Sequence, residues 1–166
     1  MAHATGSFDK NGNPILTLKV GGVLSEPTEF VAIIDTGFTG FLSMPIIAAF
    51  PLGLPLTGTT TVVLADGQDQ SKLMAQCRVT IDGHPDAKVG LVILEPSSTD
   101  ILVGIEFLRK FKFGLFISTA GIMLFDDDEF MKEYGKSQDA AATHQPSSNE
   151  PPPPSDQSPS SASQSA

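Results

Sequence analysis

The sequence holds one cysteine, Cys77, no tryptophan, one tyrosine and three histidines in 166 residues. One thiol can neither close an intrachain disulfide nor hold a structural zinc, which excludes a disulfide-stapled secreted scaffold and a zinc finger. Within Met74-Ala75-Gln76-Cys77-Arg78-Val79 it reads as a small strand residue rather than a reactive thiol. Positive charge is scarce too: 10 Lys+Arg stand against 19 Asp+Glu, a net charge of -9. These cations form no cluster able to neutralise phosphates, so nucleic acid is not an expected partner. No run approaches the ~18 to 20 apolar residues of a membrane span, and Met1 to Phe8 lacks a basic segment followed by an apolar one. A soluble cytoplasmic protein without a membrane partner is the expectation. His3, His84 and His144 fall in the N-terminal arm, a turn and the tail, leaving no His-centred triad and no His-rich metal site. There is no G-x-S-x-G elbow, phosphate-binding glycine loop or EF-hand spacing, so neither cofactor nor metal is implied. Asp126-Asp127-Asp128 reads as the acidic start of a helix rather than a cation site.

The chain does hold 40% hydrophobic residues, including 11 Phe, enough to build one core. The composition breaks after Lys136. Residues 137 to 166 contain nine Ser and six Pro, with the run Pro151-Pro152-Pro153-Pro154, and no Val, Ile, Leu, Met or aromatic residue. Such a segment buries too little apolar surface to offset its ordering entropy, so it is expected to be a disordered Ser/Pro-rich tail behind one folded domain over residues 1 to 136.

Within that domain the local signals are strands and turns. Asn11-Gly12 marks a type I′ hairpin before the β-rich run Ile15 to Val20. Phe30-Val31-Ala32-Ile33-Ile34 is a short apolar run expected to be a strand buried on both faces. Thr57 to Leu64 and Leu73 to Ile81 predict two long strands around Asp66-Gly67, and Asp82-Gly83-His84-Pro85 a further turn. Val89 to Leu94 and Ile101 to Val103 are short apolar runs, and Phe113 to Ile117 with Gly121 to Phe125 reads as a hairpin. Two segments look helical, Ile105 to Phe111 and Asp126 to Tyr134. Many short strands with little helix imply an all-β barrel or sandwich.

Asp35-Thr36-Gly37 has the most unusual setting. It places an ionisable group at the end of the apolar run Phe30 to Ile34, near the core, where an unpaired carboxylate is expensive. Thr39 supplies a hydroxyl beyond it. A glycine-bearing hairpin follows about thirty residues on, and Ile101-Leu102-Val103-Gly104 precedes the short helix with Phe107-Leu108. By itself the tripeptide is also a plain turn sequence.

Taken together, Phe30 to Gly40 and Ile101 to Leu108, with the strand order between them, resemble the retropepsin-like aspartic proteases, in particular their small bacterial members. The likeness runs from about Ile15 to Phe125. It implies an all-β fold of the closed retropepsin-like β-barrel type with one or two short helices. It also implies an aspartic endopeptidase whose substrate is an extended peptide or protein segment. Because only one Asp-Thr-Gly is present, two copies of Asp35 must meet across a twofold axis, so the resemblance implies a homodimer. By the same resemblance Thr36 bonds across the dyad, Gly37 donates its N–H to the Asp35 carboxylate, and Thr39 supports the outer carboxylate oxygen. The hairpin Thr59 to Ile81, tipped by Ala65, Asp66 and Gly67, is the flap over substrate. Ile101, Leu102 and Val103 pack under the catalytic loop, and Gly104 permits close backbone approach.

The sequence departs from the family pattern in three places. Phe38 stands where a small Ala is usual, so its ring reshapes a substrate pocket. The tip Ala65-Asp66-Gly67-Gln68 lacks the several glycines of a viral flap. No dimer-forming terminal strands are recognisable; Met1 to Phe8 can supply strands and the tail cannot. Two other readings stay open: a catalytically silent peptide-binding or dimerisation module that keeps the fold, and a β-domain with an accidental Asp-Thr-Gly turn.

Overall fold

The computed structural model describes residues 2–22, 25–63 and 67–132. The described residues are mostly β-strand with a few short helical segments, and ten strands among them form one sheet in the order β5-β6-β7-β4-β8-β3-β2-β1-β10-β9.

Strands β1 (Ala2–Phe8) and β2 (Pro14–Gly21) form the first hairpin, with Ser7 opposite Ile15. Its turn is wider than the expected type I′. That type needs left-handed backbone at two positions, and only Gly12 supplies it, at φ 82. The Asp9 carboxylate decides the outcome. Its Oδ1 accepts the backbone N–H groups of Asn11 and Asn13, each at 2.8 Å, and its Oδ2 accepts Asn13 Nδ2 at 2.9 Å. The Asn13 side-chain bond is the main cause holding the Asp9 carboxyl below its ordinary value.

Strand β3 (Thr28–Ile34) lies antiparallel to β2. It is not buried on both faces, as its apolar run suggests: Ala32 and Ile34 point inward while Val31 is 56% exposed. With Val31 open to solvent the outer face of β3 is not covered, while on its other edge only Ile33 and Ile34 are paired, to Leu102 and Val103 of β8 (Leu102–Val103). Strand β4 (Leu42–Pro45) joins β8 to β7 (Lys88–Glu95), and β7 pairs with β6 (Asp69–Thr80), which forms a long hairpin with β5 (Leu56–Val63). Strand β6 also pairs with β2, from Lys19 opposite Thr80 to Gly21 opposite Arg78. Pairings through β2, β3, β8, β4, β7 and β6 therefore return to β2. On the far side β1 pairs with β10 (Gly121–Asp126), which pairs with β9 (Phe113–Ser118).

Helix α2 spans Ile105–Phe111, as the sequence predicts, and closes on Lys112 in left-handed backbone at φ 55. A further helical segment runs over residues 127–132, and Asp126 Oδ1 caps it by accepting the Glu129 N–H at 3.0 Å. The sequence reading missed α1 (Ile46–Ala49), which continues into a 3-10 turn over Phe50–Leu52. Seven residues holding a mid-segment proline show no helical period, and the ends of the segment are set by Pro45 and by Gly53 at φ 58. The expected Ser/Pro-rich tail, residues 137 to 166, lies outside the described residues, as do residues 133–136.

The core sits between β2, β6, β7 and α2. Phe41 stacks toward Phe107 at 5.5 Å between ring centres, and Phe107 toward Phe111 at 4.8 Å. Gly90 leaves room for the Phe41 ring, which lies 2.1 Å from where a Cβ would stand. His84 meets Phe111 and Phe113 edge-on and bonds within its own turn to Asp86, a packing role rather than a chemical one.

Cys77 is buried in β6 with its Sγ 3.7 Å from the Gly90 carbonyl, and burial pushes its thiol from 9.0 up to about 12. The folded protein is therefore expected to leave Cys77 unmodified by a thiol reagent at pH 8, whereas the unfolded chain reacts fully. The sign of the pH effect follows. Below pH 9 both states keep the proton; between 9 and about 12 the unfolded chain loses it first, so stability falls as pH rises. Rapid labelling of the folded protein would show that the strand around Cys77 is open.

Candidate active site

Asp35 is the first residue beyond β3, and backbone hydrogen bonds hold its loop against the segment from Ile101 to Glu106. The Ile33 N–H donates to Ile101 O at 2.8 Å, and the Asp35 N–H to Val103 O at 2.9 Å. Bonds in the other direction return from α2 and its entry: Gly104 N–H to Phe41 O at 3.3 Å, Ile105 N–H to Phe38 O at 2.9 Å, and Glu106 N–H to Thr39 O at 3.3 Å. Leu102 and Val103 thus lie under the loop as strand β8. Ile101 contributes its carbonyl and a buried side chain just before that strand.

Gly104 has no substitute here. A Cβ would stand 2.3 Å from Phe38 O and 2.4 Å from Gly40 O, both backbone atoms. Gly40 is crowded as well, by the Phe38 ring at 2.4 Å from its ideal Cβ. The ring that replaces the expected small side chain therefore folds back over Gly40 and Gly104.

The Asp35 carboxylate is half-buried, and its Oδ1 accepts the Gly37 N–H at 2.9 Å. Among the described residues this is its only hydrogen bond, and no cation pairs with it. The Phe38 N–H donates to the Asp35 carbonyl at 3.2 Å and tightens the turn. Thr36, Gly37 and Thr39 are exposed. Within the protomer the Thr39 hydroxyl makes no bond to Asp35, and the residue's tie is its carbonyl, held by Glu106. The loop thus presents its carboxylate and its hydroxyls at the protein surface.

A hollow of about 560 Å³ opens beside this loop, lined by Gly37, Phe38, Thr39 and Gly40, by Thr60 and Val62 of β5, Met74 of β6, Leu91 and Ile93 of β7, and Glu106 of α2. Glu106 is the one charged residue in that lining, and Lys110 one turn on lies 3.7 Å from it. Of the expected flap tip, Ala65 and Asp66 lie outside the described residues; Gly67 lies within them, at φ 80. The sequence reading did not single out Met74, Leu91, Ile93 or Glu106. The signal for the β7 pair was available: Leu91 and Ile93 alternate with buried Gly90, Val92 and Leu94, so they belong to the opposite face. A second hollow, of about 330 Å³ between α1 and Leu56, Leu73 and Leu94, is lined only by apolar residues and glycine and holds no group able to do acid-base chemistry.

Neither a protein-family model nor a curated protein matches the chain in sequence. Its fold does find a match. The EIAV protease complexed with the inhibitor HBY-793 aligns with 67% of this chain and 99% of that one, with a TM-score of 0.50 and 12% identity. The chain has a retropepsin-like fold. At that identity the likeness is one of fold and does not single out the bacterial members.

Replacing Gly104 by Ala is expected to lower stability by about 1–3 kcal/mol or more, because the new methyl meets two carbonyl oxygens that cannot rotate away. Urea unfolding of Gly104→Ala beside the wild type measures this. An unchanged midpoint would mean that the loop is not held this closely.

Proposed function

We propose that this protein is an aspartic endopeptidase that works as a homodimer, with Asp35 of each copy forming the catalytic pair. The observation that carries the reading is the Asp35 carboxylate itself. It is half-buried, bonded to one backbone N–H, unopposed by any cation among the described residues, and borne on an exposed loop beside a hollow whose wall carries apolar side chains, three threonines and Glu106. A structural aspartate at the end of a strand ordinarily caps the turn with several bonds, as Asp9 does here. Asp35 instead keeps most of its acceptor capacity unused.

Two such carboxylates within hydrogen-bond distance cannot both ionise cheaply and share one proton. The ionised member takes a proton from a water molecule while the protonated member donates to the peptide carbonyl, giving a tetrahedral diol. Collapse of that diol breaks the C–N bond, returns a proton to the leaving nitrogen and restores the shared proton. No covalent intermediate and no cofactor enters. Gly37 N–H holds one oxygen of each carboxylate in place, and in the dimer Thr36 and Thr39 are the residues nearest in sequence able to brace the pair. Substrate enters as an extended strand beneath the β5–β6 hairpin, its side chains meeting Phe38, Val62, Met74, Leu91 and Ile93. We assign the β5–β6 hairpin, up to Val63 on one arm and from Gly67 on the other, the role of the flap. The circuit of pairings closed by β6 and β2 supports the closed-barrel reading of the domain. A single, buried thiol suits the cytoplasm.

Asp35→Asn is expected to lower peptide cleavage by roughly 10²- to 10⁴-fold, the usual contribution of positioned acid-base groups. Wild-type activity is expected to fall with the square of dilution where the dimer dissociates, with a bell-shaped pH profile belonging to the pair. Cleavage of a diverse peptide library, read by mass spectrometry for both proteins, tests this. Equal products from both would refute the role of Asp35, and no products from a folded, dimeric wild type would leave a peptide-binding module.

A further inference from the structure

The strand walls of the hollow beside the Asp35 loop are apolar or hydroxyl-bearing, with Thr60, Val62, Met74, Leu91 and Ile93. Its one charge, Glu106, stands where the loop meets α2. Backbone bonds set that position. The Glu106 N–H donates to Thr39 O at 3.3 Å, so the root of the side chain is tied to the loop four residues after Asp35. Between them the Phe38 N–H closes on the Asp35 carbonyl, a turn that keeps the Cα atoms of those two residues within about 7 Å. Thr39 is the next residue, so its Cα lies no more than roughly 11 Å from that of Asp35. An extended peptide advances about 6.8 Å every two residues.

The Glu106 carboxylate is available for a partner. Among the described residues it accepts no hydrogen bond, and its one ion pair spans 3.7 Å to Lys110, with both side chains open to solvent. An exposed pair of that length holds neither group firmly. Lys110 is not part of the lining, and its ammonium lies 6.0 Å from the centre of the Phe41 ring. Glu95 makes the contrast: its carboxylate is matched by the buried Lys72 Nζ at 2.5 Å. An acid in the first turn of a helix complements the helix dipole wherever it points, but this one faces a concave wall with no cation in it. The chain's net charge of -9 adds to the attraction for a positive group there.

We propose that Glu106 determines specificity by pairing with a Lys or Arg side chain of the peptide substrate, roughly two to four residues from the bond that is cleaved. The inference rests on the reading that paired Asp35 carboxylates cleave an extended peptide, and it names the class of peptide they receive. The long aliphatic stem of Lys or Arg lies along the apolar wall while its charged head reaches the carboxylate, so one side chain uses both features of the hollow. Asp or Glu at the same position meets a like charge and is rejected. A homodimer holds two such hollows related by its twofold axis, so the preference for a basic residue falls on both sides of the cleaved bond.

Apolar peptides in which one Lys or one norleucine is scanned through each position test this on the full chain, since norleucine keeps the stem of Lys and lacks its charge. At low salt the wild type is expected to favour Lys at its preferred position by roughly tenfold in kcat/KM, as a charge-assisted contact does, and the ratio narrows as salt is raised. Glu106→Gln is expected to bring the ratio to one, and Glu106→Lys to turn the preference toward Glu. A ratio between two peptides is unaffected by an overall loss of activity in a variant. If Glu106 serves only its helix, Glu106→Gln shifts the unfolding midpoint and leaves the ratio intact, which overturns the proposal; so does a wild type that cleaves both peptides equally, with the protease reading untouched. Binding of the same peptides, labelled with a fluorophore, separates the two readings. A Lys preference in binding that Glu106→Gln removes, with no cleavage by a folded, dimeric wild type, upholds the role of Glu106 and refutes the protease. Peptides neither bound nor cleaved overturn both.

Discussion

The constraint on which the site depends is the approach of two peptide segments at Gly104. The carbonyl oxygens of Phe38 and Gly40 point at a position where every other residue carries a Cβ. Because the position is empty, the Asp35 loop can lie flat against the end of β8, and five backbone bonds then lace residues 33–41 to 101–106. Those bonds fix the backbone on both sides of Asp35, whose half-buried carboxylate accepts one further bond, from Gly37 N–H. A carboxylate on a rigid backbone can do chemistry that a carboxylate on a mobile loop cannot, since its position is fixed before a reactant arrives.

Much of this was legible in the residues because it depends on local chemistry. Helix α2 was readable to the residue: Gly104 stands before it, Phe107, Leu108 and Phe111 share its buried side, and a basic last turn precedes Lys112. The β5–β6 and β9–β10 hairpins were readable from β-rich runs around Asp66-Gly67 and Gly121. The errors share one cause, a tertiary or side-chain partner invisible in a window of sequence. Asn11-Gly12 has the composition of a tight turn, but the Asp9 carboxylate captured two backbone donors and widened it. Phe30 to Ile34 has the composition of a doubly buried strand, but only the face with Ala32 and Ile34 meets the core, and Val31 on the other is open to solvent. Strand β4 is four residues that pair on both sides, to β7 and to β8, and nothing in Leu-Ser-Met-Pro announces either partner. In the site, the motif residues were legible and the cleft walls were not, because Met74, Leu91 and Ile93 become walls only when β6 and β7 pair in register, with Met74 opposite Ile93.

The cleft and its charge follow from the same alternation. Residues of β6 and β7 that point inward build the core with Val92, Cys77 and Val79, and the intervening ones face the hollow with Met74, Leu91 and Ile93. At the end of this outer row Lys72 and Glu95 pair at 2.5 Å, the former 7% exposed. A buried lysine is tolerable only with its counter-charge, and this one joins the arm of the hairpin to the body of the sheet. The β5–β6 hairpin is thereby tied to the edge of β7.

The Asp35 loop rests on the start of one stretch of chain, residues 104 to 113, which holds Gly104, seven residues of helix, a left-handed Lys112 and the first residue of β9. Phe107 and Phe111 fix that stretch to the core from below, and Phe113 stacks on Phe111 at its exit, 5.4 Å between ring centres and 11° from parallel. A helix pinned at both ends and along one face transmits position faithfully, because a packed core does not deform continuously.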